Sequence, residues 1–124
     1  MKAWIAVVMA LVGAMGCGQA MAQTGDGNEF LVQCQNTIRG MDSGYYGDPL
    51  GVGTCFATVG TVVSMIAFYN SSVASNIRVC VPGNVNNGQA ARIVVKFLQG
   101  RPDLLNLDRS VLTWMALSAS YPCK

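Results

Sequence analysis

The sequence has no histidine and few charged residues. Its 124 residues include 8 Lys and Arg and 6 Asp and Glu, a net charge of +2. Without histidine there is no Ser–His or Cys–His pair for nucleophilic catalysis, and most transition-metal sites lose their commonest ligand. The charge is too small for an electrostatic nucleic-acid binder. We therefore expect a protein that is not an enzyme, holds no cofactor or metal and binds no nucleic acid.

The chain also lacks the composition of a disordered protein, because 52% of its residues are apolar and only 11% are charged. Part of the apolar content forms a targeting signal. Lys2 precedes the apolar residues 3–15, and the small-x-small site at 20–22 follows. We predict a cleaved signal peptide over 1–22 and a single domain over 23–124. A retained anchor and a lipoprotein modified at Cys17 are the alternatives.

Four segments of the mature chain show helical spacing of apolar residues. The segments are 29–39, 54–70, 86–99 and 108–120. Asn28 and Asn86 are the predicted caps of the first and third, and Gly40 and Gly100 are their predicted ends. The last segment has an apolar stripe that includes Val111 and Leu112. A short turn at 102–105 separates the last two. Arg92, Lys96, Arg101 and Arg109 lie on polar, solvated faces. The predicted fold is all-α, a small disulfide-stabilised domain of about four helices.

The segment 54–70 is ambiguous from its sequence. Its β-branched residues favour a strand, but Cys55, Val59, Val62 and Ile66 recur at helical spacing over a length that exceeds a normal strand. No charge occurs between Asp48 and Arg78, so a membrane span is an alternative. Because the densest apolar part is short and contains several Thr and Ser residues, we predict a buried core helix.

The loop predicted over 41–53 contains the adjacent pair Tyr45 and Tyr46 together with Asp42 and Asp48. It has no phosphate-binding register, and a flexible connection between helices is one interpretation. Tyrosine is favoured at protein interfaces, so the other is a partner-binding loop in which Tyr45 and Tyr46 make contact and the two Asp residues give polar support. The connection at 70–79 is the rival site.

Removal of the signal peptide leaves Cys34, Cys55, Cys80 and Cys123, an even number that predicts two disulfides in an oxidising compartment. The absence of a CxxC motif and of histidine argues against zinc and against a catalytic thiol. Four cysteines allow three pairings. Antiparallel neighbouring helices favour Cys34–Cys55 with Cys80–Cys123, and Cys34–Cys123 with Cys55–Cys80 is the runner-up.

The C-terminal half resembles the Rap/Tai family of type VI secretion immunity proteins. The resemblance rests on the run CVPGNVNNGQ at 80–89, RIVVKFL at 92–98, RPD at 101–103, and AL and YPC at 116–117 and 121–123. Cys34 and Cys55 also stand where the family places its first two cysteines. The chain departs from the family pattern at Gly83–Asn84, at Asn86 in place of Thr, and at 57–61 in place of a Gly-Tyr-Ile-x-Gly pattern.

This resemblance implies a helical, periplasmic, non-enzymatic protein. Its partner would be a peptidoglycan-cleaving amidase effector, which the protein would neutralise by occluding the active-site cleft, and some relatives are homodimers. The main alternative is a periplasmic structural or chaperone-like helical protein without a toxin partner. A membrane-associated accessory subunit and an enzyme using Glu29, Asp42, Asp48 or Asp103 are weaker, because these acids form no paired arrangement in the sequence.

Overall fold

The computed structural model describes residues 25–124 and is all-α over that range, as predicted. The predicted signal peptide at 1–22 and Cys17 lie outside the described residues. Three 3-10 turns connect the helices, at Asn70–Ser72, Ser75–Ile77 and Pro102–Leu104. The four helices are α1 (Gly27–Ser43), α2 (Pro49–Tyr69), α3 (Asn87–Gly100) and α4 (Arg109–Ser120).

The start of α1 differs from the sequence prediction, because the capping residue is Asp26 and not Asn28. Oδ1 of Asp26 accepts hydrogen bonds from the backbone N–H of Asn28 and Glu29, at 3.0 and 3.2 Å. Aspartate and asparagine are both good capping residues, and tertiary contacts select Asp26 over Asn28. The N–H groups of Gly27 and Asn28 donate to Leu107 and Leu105 O, at 3.0 and 3.2 Å, which fixes this end beside the start of α4.

The predicted loop over 41–53 was wrong at both ends, since only residues 44–48 separate α1 from α2. Helix α1 continues through Gly40 and ends at Ser43, followed by Gly44 with a φ of 75°, the left-handed conformation that glycine adopts without steric cost. Helix α2 starts at Pro49, a residue suited to a first turn, behind the capping residue Asp48.

The core lies between the four helices, and each of them supplies buried side chains to it. The predicted apolar stripes supply most of it, with corrections on two helices. On α4, the predicted Val111 is half-exposed and the predicted Ala119 is exposed, while Leu117, outside the predicted stripe, is fully buried. On α3, Ala91 and Val95 are buried outside the predicted stripe. The segment 54–70 is helical as predicted. The fully buried side chains include Phe30, Cys34, Cys55, Val59, Val94, Leu98, Leu112, Ala116 and Leu117.

Two disulfides cross-link these elements in the pairing that the helix order favoured. Cys34–Cys55 joins α1 to α2, with a Cα–Cα distance of 5.2 Å. Cys80–Cys123 joins the connection before α3 to the segment after α4, with a Cα–Cα distance of 5.0 Å. The outer ends of α3 and α4 are therefore neighbours, as expected. The expectation for the first bond was wrong in its positions, because Cys34 lies in the middle of α1 and Cys55 lies inside α2 and does not open it.

Helix α2 has two different faces. Cys55, Val59, Val62 and Ile66 form the inner face, which is part of the core. Among residues 25–124, the stretch Pro49–Ser72 alone has the length and composition of a membrane span, with a mean hydropathy of 1.8 and 39% of its window buried. The buried inner face agrees with the prediction of a core helix. The opposite side of α2 is apolar and exposed to solvent.

Candidate partner-binding surface

The loop over 44–48 is short and held at both ends. The N–H of Gly44 donates to Gly40 O at 2.9 Å, and the N–H of Tyr45 donates to Oγ of Ser43 at 3.2 Å. Oγ of Ser43 also donates to the carbonyl oxygen of Tyr45, at 3.3 Å. Local hydrogen bonds thus fix the backbone that carries the two tyrosines, in place of the flexible connection considered from the sequence.

The two tyrosines present different fractions of their surface. Tyr45 is 77% exposed and Tyr46 is 42% exposed. The ring of Tyr46 packs against the buried Gly40 of α1, where a Cβ atom would stand 2.2 Å from Cδ1 of the ring. Tyr46 therefore anchors the loop on α1, and Tyr45 is the tyrosine that can be buried by a partner without first losing internal packing.

Asp48, predicted as polar support, ties the loop to α1 and α2. Its Oδ1 accepts from the N–H of Gly51 at 3.0 Å, and its Oδ2 accepts from Nδ2 of Asn36 at 3.3 Å. Nη1 of Arg39 donates in turn to Oδ1 of Asn36 at 3.0 Å. A depression of about 390 Å³ lies beside the exposed tyrosine, lined by Asn36, Arg39, Ser43, Tyr45, Gly47 and Asp48.

Asp42, the other predicted support, lies near the end of α1 and forms a salt bridge with Arg92 of α3. The hydrogen bond from Arg92 to Asp42 and the attraction between the two charges raise the pKa of the guanidinium. Both side chains remain about half-exposed, as predicted for Arg92. The pair connects the end of α1 that carries the tyrosine loop to α3, and exposed pairs of this kind contribute little free energy.

The rival segment at 70–79 is also ordered by internal hydrogen bonds. Oδ1 of Asn70 accepts from the N–H of Val79 at 3.0 Å. Nε of Arg78 donates to Val73 O at 3.1 Å. Ile77 is its half-exposed apolar side chain. The segment therefore offers a partner one exposed aliphatic group in place of an aromatic ring.

Sequence reasoning missed a second surface, the outer face of α2. Large side chains stand at its two ends, Leu50 at 83% and Phe68 at 81% exposure. Small residues lie between them, and a shallow depression of about 780 Å³ runs along this side of the helix. The uncharged run between Asp48 and Arg78 was the signal that could have revealed it. We call the residues Leu50, Gly53, Ala57, Thr61, Ser64 and Phe68 the α2 outer surface.

Comparison with known proteins was informative at the level of the family. The family model described as Rap1a immunity proteins matches residues 26–123, which is nearly all of the described chain. The comparisons with curated proteins and with solved structures found no match. Immunity proteins act by binding a protein effector and are not enzymes. The chain belongs to the Rap1a family of immunity proteins, and its function is therefore to bind a protein effector and not to catalyse a reaction.

Proposed function

We propose that the protein protects the periplasm by binding a peptidoglycan-cleaving amidase effector of type VI secretion and occluding its active-site cleft. The observation that carries the proposal is the family match over 26–123. Export is supported by the charged, apolar and small-residue pattern of 1–22 and by two disulfides in a small domain. The resemblance to Rap/Tai proteins supplies the amidase.

The proposed contact is the loop over 44–48, with Tyr45 as its central side chain. The Tyr45 side chain is 77% exposed and offers a partner a large apolar area and a hydroxyl group. Because it has few rotatable bonds, little conformational entropy is lost when it is buried. The loop is held by Gly44, Ser43 and Asp48, so little backbone freedom is lost when it enters a cleft. Asp42 and Asp48 stabilise the loop and its surroundings through contacts within the protein, and the ring of Tyr46 packs the loop against Gly40.

Co-expression with a candidate amidase effector, the first candidate being the product of the adjacent gene if that gene encodes an amidase, tests this function. The amidase is exported to the periplasm, and growth is followed with and without the protein. We expect rescue of growth and a stable complex between the purified proteins. Failure of rescue together with absence of a complex would reject the amidase and would favour a protein effector of another class.

Substitution at Tyr45 tests the contact surface. We expect Tyr45→Ala to weaken the affinity for the amidase about 30-fold, since a buried tyrosine anchor is worth about 2 kcal/mol. Tyr69→Ala is the matched control, because Tyr69 is also an exposed tyrosine but lies at the end of α2. A loss with Ile77→Ala and none with Tyr45→Ala would move the contact to the segment at 70–79.

We further propose that the α2 outer surface pairs with the same surface of a second copy, as the resemblance implies for some relatives. The surface carries no charge that would be repelled by its own copy. In an antiparallel pairing centred between residues 60 and 61, Phe68 of one copy faces Gly53 of the other, and Ser64 faces Ala57. The Phe68 ring of each copy then meets a glycine, and the residues between the two rings are small, which allows close helix packing.

Light scattering tests this pairing. We expect the unmodified protein to be a dimer and Gly53→Leu to be a monomer, because the added side chain fills the space proposed for Phe68. A Cβ on Gly53 meets nothing within 4 Å, so the single copy tolerates the change. Gly100→Leu on α3 is the control, since a Cβ on Gly100 also meets nothing within 4 Å. A monomeric unmodified protein, or a dimeric Gly53→Leu, would overturn the pairing without affecting the test at Tyr45.

A further inference from the structure

The two disulfides differ in their access to solvent. Cys34 and Cys55 have no exposed surface, whereas Cys80 is exposed and Cys123 is partly exposed. A disulfide is cleaved by a thiolate that attacks one of its sulfur atoms, so access controls the rate. An external thiol can therefore reach Cys80–Cys123 in the folded protein, while Cys34–Cys55 is shielded by α1, α2 and the side chains packed around them.

The exposed bond fastens the end of the chain to the connection between α2 and α3. Beside it, Val79 forms an isolated antiparallel bridge with Pro122, and the N–H of Cys80 donates to Tyr121 O at 2.8 Å. Beneath this connection lies a depression of about 430 Å³ whose lining includes Val63 and Ile66 of α2 and Val81 and Pro82 of the connection. The segment thus rests on α2 over an incompletely filled space.

The residues on either side of the bond are held unequally. Val79 is almost fully buried, and its N–H donates to Oδ1 of Asn70, so it keeps its place without the disulfide. Residues 80–84 and 122–124 are exposed or partly exposed. Loss of the bond would therefore free these two stretches, while Cys34–Cys55 and the buried core continue to hold the four helices.

We propose that Cys80–Cys123 is a redox-sensitive clasp, which a dithiol reductant opens while the four-helix core stays folded. The thiolate of the reductant attacks Sγ of Cys80, the more exposed of the two residues, forms a mixed disulfide and releases Cys123 as a thiolate, which takes up a proton. The second thiol of the reductant then displaces Cys80. The reductant leaves as a disulfide, and the protein gains two electrons and two protons. Opening lets residues 80–84 lift from α2.

Reduction with dithiothreitol in the absence of denaturant tests the clasp. Samples are taken over time, free thiols are alkylated, and the alkylated peptides are identified by mass spectrometry. We expect Cys80 and Cys123 to be alkylated at least about tenfold faster than Cys34 and Cys55, with no change in helical circular dichroism at the first step. Amide hydrogen exchange should rise at residue 80, whose N–H donates to Tyr121 O when the clasp is closed, and stay low in α1.

The variant Cys80→Ser/Cys123→Ser provides a second measurement that does not depend on the reductant. We expect it to keep its helical content and to show the raised hydrogen exchange of the singly reduced protein. Equal alkylation rates at all four cysteines, loss of helix when the first bond opens, or unchanged amide exchange at residue 80 would each overturn the proposal. A variant that fails to fold would also count against it.

Discussion

The ring of Tyr46 lies directly on the backbone of Gly40. A Cβ atom on Gly40 would stand 2.2 Å from Cδ1 and 2.4 Å from Cε1 of the ring, well inside van der Waals contact. Glycine ends many helices, yet here it allows an aromatic ring to pack across a helix that continues for three more residues. The relationship fixes the position of the loop that carries Tyr45.

We expect Gly40→Ala to lower the free energy of unfolding by about 1–2 kcal/mol, because the added methyl group displaces the Tyr46 ring. The measurement is urea denaturation followed by circular dichroism. Gly100→Ala is the control. Gly100 is the last residue of α3, outside the proposed dimer surface, with open space at its Cβ position, and the change should alter the stability by a few tenths of a kcal/mol at most.

The same substitution in a Tyr46→Ala background separates ring packing from other effects. With the ring removed, Gly40→Ala should become neutral or stabilising, because the methyl group then meets no aromatic carbon. An equal loss in both backgrounds would show that the contact between Gly40 and Tyr46 is not the cause.

We expect removal of Cys34–Cys55 to destabilise the protein more than removal of Cys80–Cys123, although it closes the shorter loop. The loops span 21 residues for Cys34–Cys55 and 43 for Cys80–Cys123, so chain entropy alone predicts losses of about 3 and 4 kcal/mol. The inner sulfurs are fully buried, and replacement by alanine also leaves a cavity. We expect Cys34→Ala/Cys55→Ala to have the lower thermal midpoint. The reverse order would show that burial contributes less than loop length.

The capping residue of α3 offers a cleaner measurement of a single hydrogen bond. Oδ1 of Asn86 accepts from the N–H of Gln89 at 2.8 Å. We expect Asn86→Ala to cost about 1 kcal/mol in thermal or urea denaturation. Asn76→Ala, at an exposed position in the second 3-10 turn, should change the stability by a few tenths at most. Equal effects of the two changes would contradict the capping role.

In the turn after α3, the Asp103 carboxyl group should titrate with a lowered pKa. Nε and Nη2 of Arg101 donate to the Asp103 carboxylate at 3.0 and 2.9 Å, and these hydrogen bonds hold the pKa of Asp103 below 3.8. Any stability from the pair is complete above pH 3.8 and is lost as the pH falls through the lower folded value. Carbon-detected NMR should find the Asp103 midpoint below 3.8. In Arg101→Gln it should rise; an unchanged midpoint would exclude Arg101 as the cause.

The helices were predictable from periodicity wherever the apolar face is continuous. Even the β-branched segment at 54–70 is helical, because its inner face packs in the core at helical spacing. The boundaries around the tyrosine loop were not predictable from the same rules. Glycine often ends a helix, and the sequence offers both Gly40 and Gly44. Helix α1 continues through Gly40 and ends before Gly44, and the local sequence does not reveal which of the two glycines ends it. The Asp48–Pro49 pair was a usable start signal for α2 that the glycines at 51 and 53 obscured.

The candidate site was predictable only in part. Adjacent tyrosines in a loop indicated a contact surface, and the structure then distinguished the exposed Tyr45 from the packed Tyr46. The paired charges Asp42 and Arg92 are 50 residues apart in sequence, so their contact required the fold. The α2 outer surface was not predicted from the sequence. Helix α2 has uncharged side chains on all sides, so its sequence gives little indication of which face is buried and which is exposed.

The attachment of residues 26–28 beside α4 has a practical consequence for any fusion protein. Helix α1 has 17 residues and is about 25 Å long, so its two ends face different sides of the domain. Tyr45 follows the far end, and the near end is pinned to Leu105 and Leu107. An affinity tag, a fluorescent reporter or a sensor-chip linker placed ahead of Gly25 is therefore held away from the tyrosine loop. Immobilisation through that end should leave Tyr45 open to a partner in solution.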